Sequence, residues 1–237
     1  MFPVRSADGY VPKLREHYNS ESRLSWVLAG LAGVLAATAY THSEGYFVTF
    51  MTGNAGRAAL GLFTDSMWMS ISAAALLVSF ISGVVIASLC HRHLWRSRPH
   101  GALRLTGASL LTATVVDWVE GGPALPVPLL PILLVAFGVG ALNTTFVRDG
   151  EVSIPLSYVT GTVVKLGQGI ERHISGGTIH DWFFNFMLLT GYISGATIGG
   201  VISIFVGGTW MLATATVICL LATWYSHRYV DGRGLWR

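Results

Sequence analysis

Between Leu24 and Ser226 the chain alternates long apolar stretches with short polar ones, and eight apolar segments can be marked at 24–41, 46–63, 67–90, 102–119, 129–147, 152–170, 182–206 and 209–226. Residues 66–90, 121–147 and 182–226 contain no Asp, Glu, Lys or Arg. A hydrocarbon core about 30 Å thick takes roughly 20 apolar residues of helix, so these stretches predict membrane spans. The last is long enough for two, with Gly207-Gly208-Thr209 as the turn between them. Tryptophans stand near many segment ends, at Trp26, Trp68, Trp118, Trp182, Trp210 and Trp224, as an interfacial aromatic belt requires. The pattern predicts an all-α, polytopic transmembrane bundle at 24–226, between tails at 1–23 and 227–237.

Charge placement decides which segments cross. If all eight spanned from a cytoplasmic N-terminus, the loop 91–104, with Arg92, Arg96, Arg98 and Arg104 and no acid, would face outside. That breaks the positive-inside rule at the most basic loop in the chain. The conflict disappears if segments 46–63 and 152–170 are broken or re-entrant, entering and leaving on one side. Loop 91–104, Arg148, Arg172 and the C-terminal arginines Arg228, Arg233 and Arg237 then become cytoplasmic. The outer loops keep Glu44, Asp65, Asp117 and Glu120 and no Lys or Arg. The expectation is six spans plus two re-entrant segments in a bacterial inner membrane, with both termini, and so both tails, cytoplasmic.

The same segments repeat. Thr52-Gly53-Asn54 with Arg57 returns as Thr160-Gly161-Thr162 with Lys165; Gly33-Val34-Leu35-Ala36 returns as Gly140-Ala141-Leu142-Asn143; and Ile81-Ser82-Gly83 returns as Ile193-Ser194-Gly195. Under the six-span reading the first copy, about 24–119, starts in-to-out and the second, about 129–226, starts out-to-in. These would be inverted repeats, a common construction of small transporters. The two Thr-Gly motifs would then dip in from opposite faces. Irregular backbone at such depth needs protein or a water-filled cavity around it. Half-helix N-termini there would present unpaired N–H groups and a positive dipole end. The candidate solute-binding residues are therefore Thr52, Gly53, Asn54, Arg57, Asn143, Thr160, Gly161, Thr162 and Lys165. Both cations sit well inside apolar runs, where a charge is costly unless it serves a cavity or a partner. The ordinary alternative for each is a snorkelling side chain, and for Asn143 a helix–helix hydrogen bond. Ser79-Gly83-Ala87 and Gly191-Gly195-Gly199 put small residues four apart and predict the helix-packing seam between the halves.

Composition narrows the class further. The 237 residues are 52% hydrophobic and 11% charged, with mean hydropathy +0.56, which excludes an ordinary soluble domain. The net charge of +3 comes from basic residues beside span ends, so it reports topology and not a nucleic-acid partner. Cys90 and Cys219 lie in or beside apolar segments without a ligand-spaced partner and read as inert thiols, and His91, His93 and His100 read as a solvated basic loop, so no metal and no cofactor are expected. His42 with Glu44 gives a weak sign of a proton-responsive pair. Ala37-Thr38-Ala39 imitates a signal-peptidase site, but the apolar run before it belongs to the repeat and is expected to stay. No nucleophile elbow, P-loop, dinucleotide fingerprint or HExxH is present, and the chain is expected not to be an enzyme.

The run from Gly33 through Phe47 to Met51-Thr52-Gly53-Asn54, the Asn143-Thr144 helix and the later Thr160-Gly161 resemble the YoaK-type family of small bacterial membrane proteins, a domain of unknown function. The resemblance covers about 24–226 and implies an inner-membrane location. Its members commonly carry Asp at the position that is Ala36 here, so a proton-coupled mechanism resting on that Asp is not expected in this chain. The function expected is a small-solute permease or channel for an anion or polar metabolite. Its partners are the lipid bilayer and the solute, with the chain acting as a homo-oligomer or in a larger membrane complex. The alternative is a non-transporting accessory subunit docking onto such a complex.

Overall fold

The structure, a computed structural model, describes residues 20–64, 66–95, 100–121, 127–148 and 151–230. The tails at 1–19 and 231–237, Asp65, Arg96 and Arg98 of the basic loop, and residues 122–126 of the expected outer loop lie outside the described residues. Within them are eight α-helices: α1 (Ser20–His42), α2 (Met51–Leu60), α3 (Met67–His93), α4 (Ala102–Glu120), α5 (Leu129–Asn143), α6 (Val159–Ile174), α7 (His180–Ser203) and α8 (Gly208–Tyr225). A π-helical turn, Ser226–Val230, ends α8, and a two-residue antiparallel hairpin pairs Val147 with Val152 and Arg148 with Glu151.

Four helices, α1, α3, α7 and α8, are long and apolar enough to cross a membrane. α4 has 19 residues but carries Arg104, Asp117 and Glu120, and α5 is apolar but has only 15. The fifth apolar segment extends to Val147, but its helix stops at Asn143. Thr144 and Thr145 turn their hydroxyls back onto the carbonyls of Ala141 (2.8 Å) and Leu142 (2.6 Å). Those bonds satisfy the end of the helix and let the chain leave it. Gly208 and Thr209 open α8, so the turn before it lies one or two residues earlier than expected.

Close glycine contacts give the helix directions. A Cβ on Gly33 would overlap the Tyr192 carbonyl oxygen, one on Gly195 the Gly30 carbonyl, and Gly199 lies against Val34. The pairs Trp26–Gly191, Gly30–Gly195 and Val34–Gly199 rise together along both helices, so α1 and α7 run parallel. Gly140 faces the Phe80 carbonyl and Gly83 the Phe137 carbonyl, and Ser79 donates to Leu133 O at 2.7 Å, so α3 and α5 are also parallel. Across α4 and α8 the order reverses: Thr209 donates to Asp117 (2.5 Å), Thr114 and Thr216 share a 3.1 Å hydroxyl contact, and Thr223 reaches Leu103 O. α4 and α5 are antiparallel too, with Thr106 on Gly138 O and Ser109 on Leu134 O.

The fully buried side chains Leu28, Leu31, Leu35, Leu76, Leu110, Ile132, Leu142 and Leu212 form one core between these helices. The other faces of α3 and α7 expose Val78, Ile81 and Val85, and Ile193, Ile198 and Val201. Such continuous apolar exposure on helices of this length is lipid-facing surface. This is a multi-pass, helical membrane protein.

Candidate functional site

Both Thr-Gly motifs occupy the first turn of a short helix. In the first, the chain leaves α1 through Gly45, whose φ of 71° suits a residue without a Cβ. It then passes buried Tyr46 and Val48, and Thr49 meets the Tyr192 hydroxyl at 2.9 Å. Tyr192, whose carbonyl packs on Gly33 of α1, thus ties the α1–α2 connection to α7. α2 starts two residues later. In the second, Ser157 is held at Asn143, and α6 starts at Val159. The irregular segments thus fall just upstream of Thr52 and Thr160, and each motif lies in the first turn of the short helix that follows. α2 then packs on α3, and α6 on α7.

The two helix starts match closely. The helices begin after Phe50 (φ −102°, ψ 71°) and Tyr158 (φ −87°, ψ 69°), and neither supplies a side-chain cap. Each ring folds back onto the motif glycine, so a Cβ on Gly53 or Gly161 would overlap the Phe50 or Tyr158 ring. That close approach is the reason each motif carries glycine. The first-turn N–H groups, four orphan donors in any α-helix, have no side-chain acceptor capping them. The aromatic residue two before each Thr is a sequence signal that the motif reading missed.

Thr52 is exposed, while Asn54 is fully buried. Asn54 Nδ2 donates to Phe47 O at 2.6 Å and ties the α1–α2 connection to α2, while its Oδ1 is buried without a partner. Its repeat mate Thr162 donates to Tyr158 O at 3.1 Å, and Thr160 is exposed. Asn143 uses its whole amide: Nδ2 donates to Val139 O (2.9 Å) and Ser157 Oγ (2.7 Å), and Oδ1 accepts from Ser157 N (3.0 Å). Arg57 donates to Gly45 O at 2.5 Å and lies over the Phe47 ring, 5.6 Å from its centroid, which turns it towards the α1–α2 loop. Lys165 is exposed on α6. No hydrogen bond among the described residues joins α2 to α6, so the two cations are not brought onto a common partner. Among the described residues no group of three or more His, Cys, Asp or Glu could hold a metal.

A second polar cluster lies at the start of α8. His42, at the end of α1, is buried with both ring nitrogens unpartnered, and its side chain abuts Gly208. Asp117 is buried on α4 with one oxygen bonded by Thr209 and the other unpartnered. Glu44, the expected mate of His42, is exposed and accepts from the Tyr46 hydroxyl at 2.9 Å instead. Nothing in their spacing, 75 residues apart, could have linked His42 to Asp117.

Residues 24–225 match a family described as a protein of unknown function, DUF1275. The chain belongs to this family. It is also similar to a UPF0700 transmembrane protein of Rhizobium meliloti, 29% identical over 203 residues that cover 81% of this chain and 83% of the relative. No solved structure matches. The family match spans nearly the whole helical bundle and both Thr-Gly helix starts, so this DUF1275 chain is a transmembrane member of an uncharacterised family, as the resemblance implied.

Proposed function

We propose that the chain is a small-solute permease or channel with six spans, two re-entrant half-helices and inverted repeats, its solute site at the two Thr-Gly helix starts. The observation that carries this is the direction of the helices. Exchanging α1 with α5, α2 with α6, α3 with α7 and α4 with α8 turns the α1–α7 pair into α5–α3, and both pairs are parallel. The same exchange carries α4 and α8 onto each other, and these run antiparallel. Equivalent helices of opposite direction are what inverted repeats produce, and eight spans in sequence would have made them parallel. Two uncapped helix starts favour an anion or a polar molecule rich in acceptors. Arg57 and Lys165 contribute positive potential from separate positions and not as a joint clamp.

The test is osmotic shrinkage of proteoliposomes under gradients of urea, glycerol and sodium acetate. Wild type is expected to conduct at least one solute, and Gly161→Leu to lose it, since the leucine must displace the Tyr158 ring from the helix start. No solute-dependent difference from empty vesicles would set transport aside. The accessory-subunit reading then takes over, favoured by one feature: α2 and α6 each pack on a single helix, with open space beside Gly56 and Gly167.

The same topology predicts opposite labelling of two exposed positions. In a variant lacking Cys90 and Cys219, a cysteine at Glu44 should react with an impermeant maleimide from the periplasmic side, and one at His93 from the cytoplasmic side alone. Labelling of both from one side would refute the six-span order.

A further inference from the structure

A cavity of about 310 Å³ opens on the flank of the bundle between the first turns of α1 and the last turns of α8. Leu24 and Ala222 form its buried floor, Val27 and Leu221 its exposed walls, and Arg23 and Tyr225 its rim. α1 and α8 are two of the helices long and apolar enough to cross a membrane, so the groove faces the bilayer and not water. An apolar trough of this kind has no polar partners for water and is filled by hydrocarbon.

The rim selects what brings that hydrocarbon. Helix directions put Arg23 at the end of the bundle that also carries Arg92 at the close of α3, Arg104 at the opening of α4, Arg172 at the close of α6 and Arg228 beyond α8. Arg23 is exposed, and among the described residues no acidic side chain lines the groove. Glu21, two residues earlier, lies about 200° around the helix from it. A guanidinium above an apolar slot matches a phosphate attached to acyl chains. The Tyr225 ring, at the interfacial depth that tyrosines favour, forms the opposite side of the rim.

We propose that the α1–α8 groove is a binding site for an anionic phospholipid, with an acyl chain between Val27 and Leu221 and the phosphate at Arg23. Net negative charge matters because a zwitterionic lipid supplies its own ammonium to its phosphate, whereas phosphatidylglycerol does not. Basic residues at a membrane surface attract anionic lipid individually, and a basic pocket between helices concentrates that attraction at one place. The inference rests on α1 and α8 being embedded and not on transport, so it stands or falls apart from the solute reading.

The test uses the full chain purified in detergent, melted in mixed micelles with phosphatidylglycerol or phosphatidylcholine. Phosphatidylglycerol should raise the melting midpoint by roughly 3–5 °C over phosphatidylcholine, as a ligand present at about ten times its dissociation constant would. Arg23→Gln should abolish most of that difference, and Leu221→Trp, which fills the groove, should abolish it too. Arg92→Gln, an exposed cation at the same end of the bundle but on α3, should keep it. Native mass spectrometry should find phosphatidylglycerol retained by wild type and lost from Arg23→Gln. Equal shifts from the two lipids would overturn the proposal. So would equal losses in Arg23→Gln and Arg92→Gln, which would mean diffuse surface charge. A lipid preference appearing only after deletion of residues 1–19 would assign the groove to the chain's own N-terminal segment and overturn it as well. If Leu221→Trp does not fold, the two arginine variants decide the matter.

Discussion

Gly195→Leu should leave almost no folded protein, and Gly195→Ala should already lower the melting midpoint severely. A Cβ at this position overlaps the Gly30 carbonyl oxygen and crowds the Gly30 Cα at 2.8 Å. The obstacle is backbone on a neighbouring span, which cannot rotate away as a side chain can. The helices must separate, and with them the contacts of Gly33 with Tyr192 and Gly199 with Val34. Overpacking costs about 1–3 kcal/mol and more where backbone must move, so roughly 6–12 °C in midpoint is expected for a chain of this size. Gly83→Leu should behave alike, because its Cβ overlaps the Phe137 carbonyl in the parallel α3–α5 pair. Gly200→Leu should be nearly silent, since nothing lies within 4 Å of its Cβ position although it neighbours Gly199. The measurements are folded yield by size-exclusion chromatography and melting in detergent. Wild-type behaviour of Gly195→Leu would mean that α1 and α7 do not pack as described.

The contrast between Gly195 and Gly200 also marks what is legible in the sequence. Four-residue spacing of small side chains identifies Gly83, Gly191, Gly195 and Gly199, because a close helix crossing needs a small residue once per turn. It does not identify Gly30 and Gly33, spaced by three, as the surface they meet. The apolar stretches locate α3, α4, α7 and α8 to within a few residues of their observed ends, since long apolar runs have few other solutions in lipid. Where polar side chains set the boundary, the pattern is blind. Segment 129–147 stays apolar past Asn143, and only the Thr144 and Thr145 hydroxyls end the helix. The break before Thr52 is legible as a break but not in position. Gly53 resembles the interruption itself, whereas it serves to let Phe50 fold over the first turn. Contacts between distant residues, such as Thr49 with Tyr192 or Asp117 with Thr209, leave no local trace.

The halves differ at the lead-in to each short helix, and Asn143→Ala tests what that difference does. In the first half the equivalent residue is Ala36, and the α1–α2 connection is secured elsewhere, by Thr49 on Tyr192 and Asn54 on Phe47 O. In the second half one amide does this work, joining the end of α5 to Ser157 through its backbone N–H and its hydroxyl. Ser157 is 7% exposed, so removing the amide strands a buried N–H and a buried hydroxyl. Each unsatisfied group costs about 1–3 kcal/mol, and a loss of roughly 2–4 kcal/mol follows for Asn143→Ala. Ser157→Ala keeps the N–H bond and removes only the hydroxyl arm, so it should cost about 1 kcal/mol. Hydrogen exchange gives the local readout: the Ser157 amide should lose protection in Asn143→Ala and keep it in Ser157→Ala. A variant that melts like wild type, with Ser157 still protected, would show that the amide is not what positions α6. If it also lost solute flux, Asn143 would act on the solute directly, and the uncapped start of α6 would owe its place to the packing of Tyr158 on Gly161.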